Sequence, residues 1–206
     1  MDERMQRQID FILTVDKEKE IFRQTYLADG SRRENDAEHA WHIALMAVLL
    51  HEYASKEVDV LKVMTMLLIH DVVEVEAGDT YAYDYEAQKT VKEREQKAAD
   101  HLFGLLPPDQ GQYLRGLWDE FEAYETPESC FAHVLDNFQP FLLNAFSEGK
   151  SWKEHGASDA NIRRRNPKTA ETAPAIWALM EDMIRKNVER GLLQHEETPT
   201  TKHGTG

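Results

Sequence analysis

The chain carries one cysteine, Cys130, so it can close no internal disulfide and does not look built for an oxidising compartment. No stretch approaches the run of about 18 apolar residues that a membrane-spanning helix needs. The opening residues MDERMQRQID lack the apolar centre of a signal peptide. These absences lead to the expectation of a cytoplasmic protein with no membrane partner. Positive charge is scarce as well: 24 Lys and Arg stand against 38 Asp and Glu, a formal charge of −14. Broad binding of nucleic acid or anionic membrane needs an excess of basic side chains on one face, so neither is expected. A small anionic ligand remains compatible if a metal ion or a few arginines compensate its charge locally.

Strand signals are weak and internal repeats are lacking; helical periodicity dominates. With 206 residues, 41% of them hydrophobic, the chain can bury the core of one ordinary domain. A first helical segment covers MQRQIDFILTVDKEKEIFRQTYL, with a break near Thr14-Val15-Asp16, and ADGSRREND follows as a loop. Asn35 and Glu38 have the spacing of a capping box, which starts the next helix. Asp59 can cap a helix from Val60 to about Val73. A long amphipathic helix then starts at Tyr85, another follows Pro107 and Pro108, and a third opens with Thr126 as cap and Pro127 at its first position. Pro140 should kink or shift that third helix. A final helix is expected from about Thr172 to Leu193. The expected architecture is a single all-α globular domain over residues 1–193, with a disordered tail over 194–206.

The stretch LLIHDVVEVEAGD, residues 67–79, departs from that apolar helical pattern. An apolar run ends in His70 and Asp71, followed by Glu74, Glu76 and Asp79. Two more ionisable groups sit in helical patterns: His39 in ENDAEHAWHIAL and Asp136 in FAHVLDNFQPFLL. Burying such groups is costly unless they pair or bind metal. Taken singly, His39 reads as a capping or core residue and Asp136 as the partner of an arginine. Together, two imidazoles and two carboxylates suit a mixed N/O site for a divalent ion. His70 and Asp71 diverge by about 100° on a regular helix, so they can share one ion only near a helix end. Glu74 lies on the face of His70, and Asp79 is a loop acid within reach. His42 shares the face of His39 and is open to either a supporting or a packing role.

The order His39, His70-Asp71, Asp136 resembles the H…HD…D signature of the HD-domain metal-dependent phosphohydrolases. RENDAEHAWH, HDVVEVEAGD and LDNFQP resemble, more narrowly, the 5′-deoxynucleotidase-like branch of that family. The resembling region spans about residues 22–144. The resemblance implies an all-helical HD-domain bundle with one divalent cation (Mn, Co, Fe, Ni, Zn or Mg) on His39, His70, Asp71 and Asp136. It implies assisting roles for Glu74 and Asp79, a homodimer, and an arginine before the first histidine that binds the substrate phosphate. Arg23 is the nearest match for that arginine; Arg32 and Arg33 are the alternatives. Gln24 stands where the relatives carry an aromatic residue, which leaves deoxynucleoside preference less defined than phosphate-ester hydrolysis.

The expected activity is hydrolysis of (deoxy)nucleoside 5′-monophosphates. Glu74 is assigned as the acid for the leaving 5′-oxygen, and Asp79 as the group that positions water or sugar. The alternatives are a phosphodiesterase, a pyrophosphohydrolase, a phosphatase for another small phosphorylated metabolite, or a non-catalytic metal- or nucleotide-binding module.

Overall fold

The computed structural model describes residues 2–78 and 85–196, with the side chains of 85–91 left aside. Asp79, Tyr81 and Tyr83 fall outside the described residues, as do positions 197–206 of the expected tail. The elements are α1 (Glu3–Val15), β1 (Phe22–Tyr26), β2 (Arg33–Asn35), α2 (Asp36–Leu50), α3 (Val60–Ile69) and α4 (Glu74–Ala77). They continue with α5 (Tyr85–Leu105), α6 (Pro108–Ala123), α7 (Pro127–Phe146), α8 (Lys150–His155), α9 (Asp159–Arg165), α10 (Thr169–Thr172) and α11 (Pro174–Glu189). Among the described residues, no helix is long and apolar enough to cross a membrane.

Helices α2, α3 and α7 pack together, with α6 against α3 and α7, and α10 and α11 against α7. Ile43 of α2, Met66 and Leu67 of α3, and Phe131 and Leu135 of α7 are fully buried where these helices meet. Trp118 of α6, Leu102 of α5, and Met180 and Ile184 of α11 extend the same core. Residues at a spacing of three and four thus fill one continuous interior, as the periodicity requires.

The helix starts follow the local chemistry of the sequence. Asn35 accepts from the Glu38 N–H at 2.9 Å, and the Glu38 carboxylate accepts from the Asn35 N–H at 3.2 Å, which completes the capping box of α2. Asp59 caps α3 by accepting from Lys62, and Thr126 caps α7 with Pro127 in its first turn. Helix α7 runs across Pro140, which has no N–H to offer the Asp136 carbonyl four residues earlier.

Three stretches differ from the sequence expectation. The first helix stops at Val15; a tight 3₁₀ turn over Asp16–Glu20 follows, and Phe22–Tyr26 forms a strand antiparallel to β2. The aromatic and β-branched residues Phe22, Thr25 and Tyr26 suit a pleated strand better than a helix. Phe22 sits opposite Asn35 and Tyr26 opposite Arg33, with a bulge between the two pairs. Secondly, the helix expected to reach Val73 ends at Ile69, and the chain turns before α4. Thirdly, the final helix starts at Pro174 and ends at Glu189. Gln194 and His195, expected in the tail, are tied down instead. The Gln194 N–H donates to the Ala157 carbonyl at 3.1 Å, and the His195 ring lies 2.9 Å from Asp159.

The cap of α2 predicts a measurable loss on substitution. Asn35→Ala removes an acceptor for the first turn and should lower unfolding free energy by about 1 kcal/mol in a urea titration. An unchanged midpoint would show that the Glu38 half of the box holds the turn by itself.

Candidate metal centre

The ends and faces of three helices meet around His39, His70 and Asp136. His39 lies in the first turn of α2, directly after the capping box, and is fully buried. His70 follows the last residue of α3 and is also buried. The break at Ile69 has a side-chain cause. The His70 Nδ1–H donates to the Leu67 carbonyl at 2.9 Å, and the Trp118 indole N–H donates to the His70 carbonyl at 3.1 Å. Two carbonyls that the helix end leaves open are thereby satisfied without another helical turn. His70 and Asp71 can then project toward one point despite being neighbours in sequence.

One ligand-type atom each from His39, His70 and Asp136 lies within 4.8 Å of the other two. Asp136 Oδ1 is 3.0 Å from His39 Nε2 and 3.6 Å from His70 Nε2. The His39 and His70 ring centres are 5.5 Å apart. Asp71 Oδ2 comes to 3.1 Å from His70 Nε2 while accepting from Arg23 Nη1 at 2.6 Å. That nitrogen is also 3.1 Å from Asp36 Oδ1. Asp71 therefore borders the cluster of His39, His70 and Asp136 and links it to Arg23.

His70 Nε2 is the informative atom. It is buried and makes no hydrogen bond, although Asp71 Oδ2 lies at 3.1 Å and Asp136 Oδ1 at 3.6 Å. A buried ring nitrogen without a hydrogen-bond partner is the kind of atom that metal ligation accounts for. Two imidazole nitrogens and carboxylate oxygen form a donor set suited to a divalent transition metal. The residues present fit such an ion.

The electrostatics of the cluster are uneven. Burial pushes His39 down, with the Arg23 guanidinium adding to the effect, so His39 is held below the ordinary imidazole value. Burial would push His70 down too, but Asp71 and Asp136 prevail and hold it well above that value. Burial opposes ionisation of Asp71 and Asp136, yet their cationic neighbours win. His70 and Arg23 hold Asp71 below the usual carboxylate range, and the two histidines do the same for Asp136. His70, Arg23, Asp71 and Asp136 thus form a buried set of charges that keep one another ionised.

Of the expected arginines, Arg23 enters the centre from the bulged strand β1. Arg32 instead pairs with Glu38 at 2.6 Å, and Arg33 reaches Glu154 at 3.4 Å while lying over the Tyr26 ring. Glu74 opens α4 one turn beyond His70, its backbone N–H donating to the Asp71 carbonyl at 2.9 Å. Two buried carboxyls beside the centre have no counterpart in the sequence reading. Glu18 sits in the 3₁₀ turn, where burial and the nearby Asp71 and Asp36 push it up to about 8. In the sequence, DKEKE lies within the first helical segment and Glu18 carries no site signal of its own. Glu34 of β2 is pushed up to about 7 by burial, against the opposing effects of Gln139 and Arg23.

The raised His70 value has a consequence for metal uptake. His70 must surrender its Nε2 proton to become a ligand, so binding of a divalent ion should be accompanied by proton release. Calorimetry in two buffers of different ionisation enthalpy should give different apparent heats; equal heats would contradict the assignment. The sign for stability is opposite. The raised His70 stabilises the metal-free fold below pH 6.5, and that contribution fades as pH climbs through the folded-state value.

Comparison with known proteins points the same way. A sequence model described as HD domain matches residues 15–177. The solved structure of a predicted metal-dependent phosphohydrolase from Magnetospirillum magnetotacticum superposes with a TM-score of 0.88 at 47% identity, covering 93% of this chain and 96% of that one. The 5′-deoxynucleotidase HDDC2 of Xenopus laevis is 28% identical over 172 residues, 81% of each chain. Its Danio rerio namesake is 25% identical over 140 residues, covering 67% of this chain and 68% of that one. Sequence, fold and a buried pair of histidines converging with a carboxylate agree: the chain belongs to the HD-domain family of metal-dependent phosphohydrolases.

Proposed function

We propose that the protein hydrolyses phosphate monoesters, releasing phosphate from (deoxy)nucleoside 5′-monophosphates with the aid of one divalent ion. The observation that carries this reading is the placement of Arg23 beside the metal centre, with its Nη1 held by Asp71 and Asp36. Among the described residues, the other guanidinium nitrogens of Arg23 carry no hydrogen bond, and its side chain keeps 21% exposure. They are therefore available to a phosphate, which arginine binds through paired donors. The similarity to proteins named 5′-deoxynucleotidase supports the nucleotide as substrate class.

His39, His70 and Asp136 would hold the ion, with Asp71 completing the set. When bound, such an ion acidifies a water and offsets the phosphate charge. The remaining tasks fall to side chains of this chain. Arg23 orients the phosphate, and Asp71 and Asp36 fix the guanidinium from behind. Glu74 stands on the turn after His70, where its carboxyl can protonate the leaving 5′-oxygen. Asp79 is assigned to positioning water or sugar. The N/O donor set suits Mn, Fe, Co, Ni or Zn.

A cytoplasmic homodimer belongs to the same proposal. Trp41, Leu45, Val48 and Leu49 recur at helical spacing along α2, and each is at least two-fifths exposed. An apolar helix face of that kind supports association with a second copy.

The test is a phosphate-release screen over nucleotides and phosphorylated metabolites, on metal-stripped protein with single divalent ions restored. Nucleoside 5′-monophosphates should be the best substrates, and activity confined to phosphodiesters would overturn the proposal. Asp71→Asn should abolish metal-dependent turnover while leaving the helical circular-dichroism spectrum intact; full activity would remove Asp71 from the site. Glu74→Ala should lower kcat by about 100-fold or more, the range for a positioned acid, with metal content unchanged. Parallel loss of metal and turnover would move Glu74 among the ligands.

A further inference from the structure

We propose that Gln139 is a positioning residue: it holds His39 in the tautomer whose Nε2 lone pair faces the metal centre, and Glu34 holds the Gln139 amide in turn. The inference rests on the metal-centre reading above and adds to it the device that prepares His39 before any ion arrives.

Two acceptors compete for the single ring proton of neutral His39. Asp136 Oδ1 stands 3.0 Å from Nε2, and Gln139 Oε1 stands 3.0 Å from Nδ1. If Asp136 takes the proton, Nε2 is blocked and an arriving ion must displace it. If Gln139 takes it, the lone pair of Nε2 is already directed at the site. The amide decides between these states only if its oxygen cannot rotate away, and its surroundings prevent that. Gln139 is fully buried on α7, three residues beyond Asp136 and hence on the same side of the helix. Its Nε2 lies 2.8 Å from Glu34 Oε2 and 3.2 Å from His42 Nδ1, so both N–H bonds have acceptors. A flipped amide would press its oxygen against the Glu34 carboxyl and lose both bonds.

Glu34 also acts directly. Its second oxygen, Oε1, is buried without a hydrogen bond and lies 3.9 Å from His39 Nδ1. Negative character there favours an N–H at Nδ1 over a lone pair. The chain Glu34, Gln139, His39 thus links strand β2 to the centre through helices α7 and α2. An amide between carboxyl and imidazole has a further effect. It accepts from the ring as a carboxylate would, without adding another negative charge to a site that must admit a phosphate.

The test reads the tautomer and the metal affinity separately. Long-range ¹H–¹⁵N NMR on metal-free protein at pH 8 distinguishes an Nδ1–H ring from an Nε2–H ring, and calorimetry with Mn²⁺ measures affinity. Wild type should show His39 as Nδ1–H. Gln139→Leu should shift it to Nε2–H and weaken Mn²⁺ binding by about 10- to 100-fold, the range for losing such an outer partner. The exchanged pair Glu34→Gln with Gln139→Glu restores a donor at 34 and an acceptor at 139. It should return both the Nδ1–H ring and most of the affinity. A folded Gln139→Leu that keeps Nδ1–H and wild-type affinity would overturn the proposal. So would an exchanged pair that is folded but shows the Nε2–H ring, and this second arm decides if Gln139→Leu does not fold. Wild type that binds no divalent ion would refute the metal reading instead, while the tautomer comparison, made without metal, still decides the role of Gln139.

Discussion

Everything in this fold is arranged around the burial of two histidines beside carboxylates. An imidazole with no exposed surface cannot lean on water, so each ring nitrogen of His39 and His70 must find a partner within the protein or an ion. His39 meets this demand through Gln139 and Asp136; His70 meets half of it through the Leu67 carbonyl and leaves Nε2 directed at the centre. A cation at that point would turn a strained set of buried charges into a ligand sphere.

The secondary structure serves that arrangement element by element. The capping box at Asn35 fixes the entry angle of α2 and with it His39, four residues on. The stop of α3 at Ile69, completed by the Trp118 indole, lets the adjacent His70 and Asp71 approach one region. Pro140 removes one helical bond at the Asp136 carbonyl, on the turn that carries both Asp136 and Gln139. The bulged hairpin brings Arg23 and Glu34 in from the open side. These are local departures from regular structure, and they gather where the chemistry is, as expected when stability and function compete for the same residues.

Much of this was legible from the sequence because its causes are short-range. Asn35 with Glu38, Asp59, and Thr126 with Pro127 mark helix starts through contacts spanning three or four residues, and the periodic apolar positions mark the core. The cluster of His39, His70 and Asp136 was legible through residue type: ionisable groups embedded in apolar helices stand out wherever they lie. What stayed hidden depends on contacts far apart in the chain. Phe22–Tyr26 is too short to outweigh the helical pattern before it, and it becomes a strand by pairing with Arg33–Asn35. Glu18, one of several charged residues in DKEKE, is singled out only when tertiary packing buries it. The choice among Arg23, Arg32 and Arg33 turns on which side chain the bulge aims inward, and the task of Gln139 on a partner a hundred positions away.

The central claim is that His39, His70 and Asp136, with Asp71 beside them, hold one divalent ion. Anomalous diffraction from crystals soaked in Mn²⁺ tests it directly. The account predicts one strong peak within ligand distance of His39 Nε2, His70 Nε2 and a carboxylate oxygen of Asp136. A peak elsewhere, or none while His39 and Asp136 remain in direct contact, would contradict it.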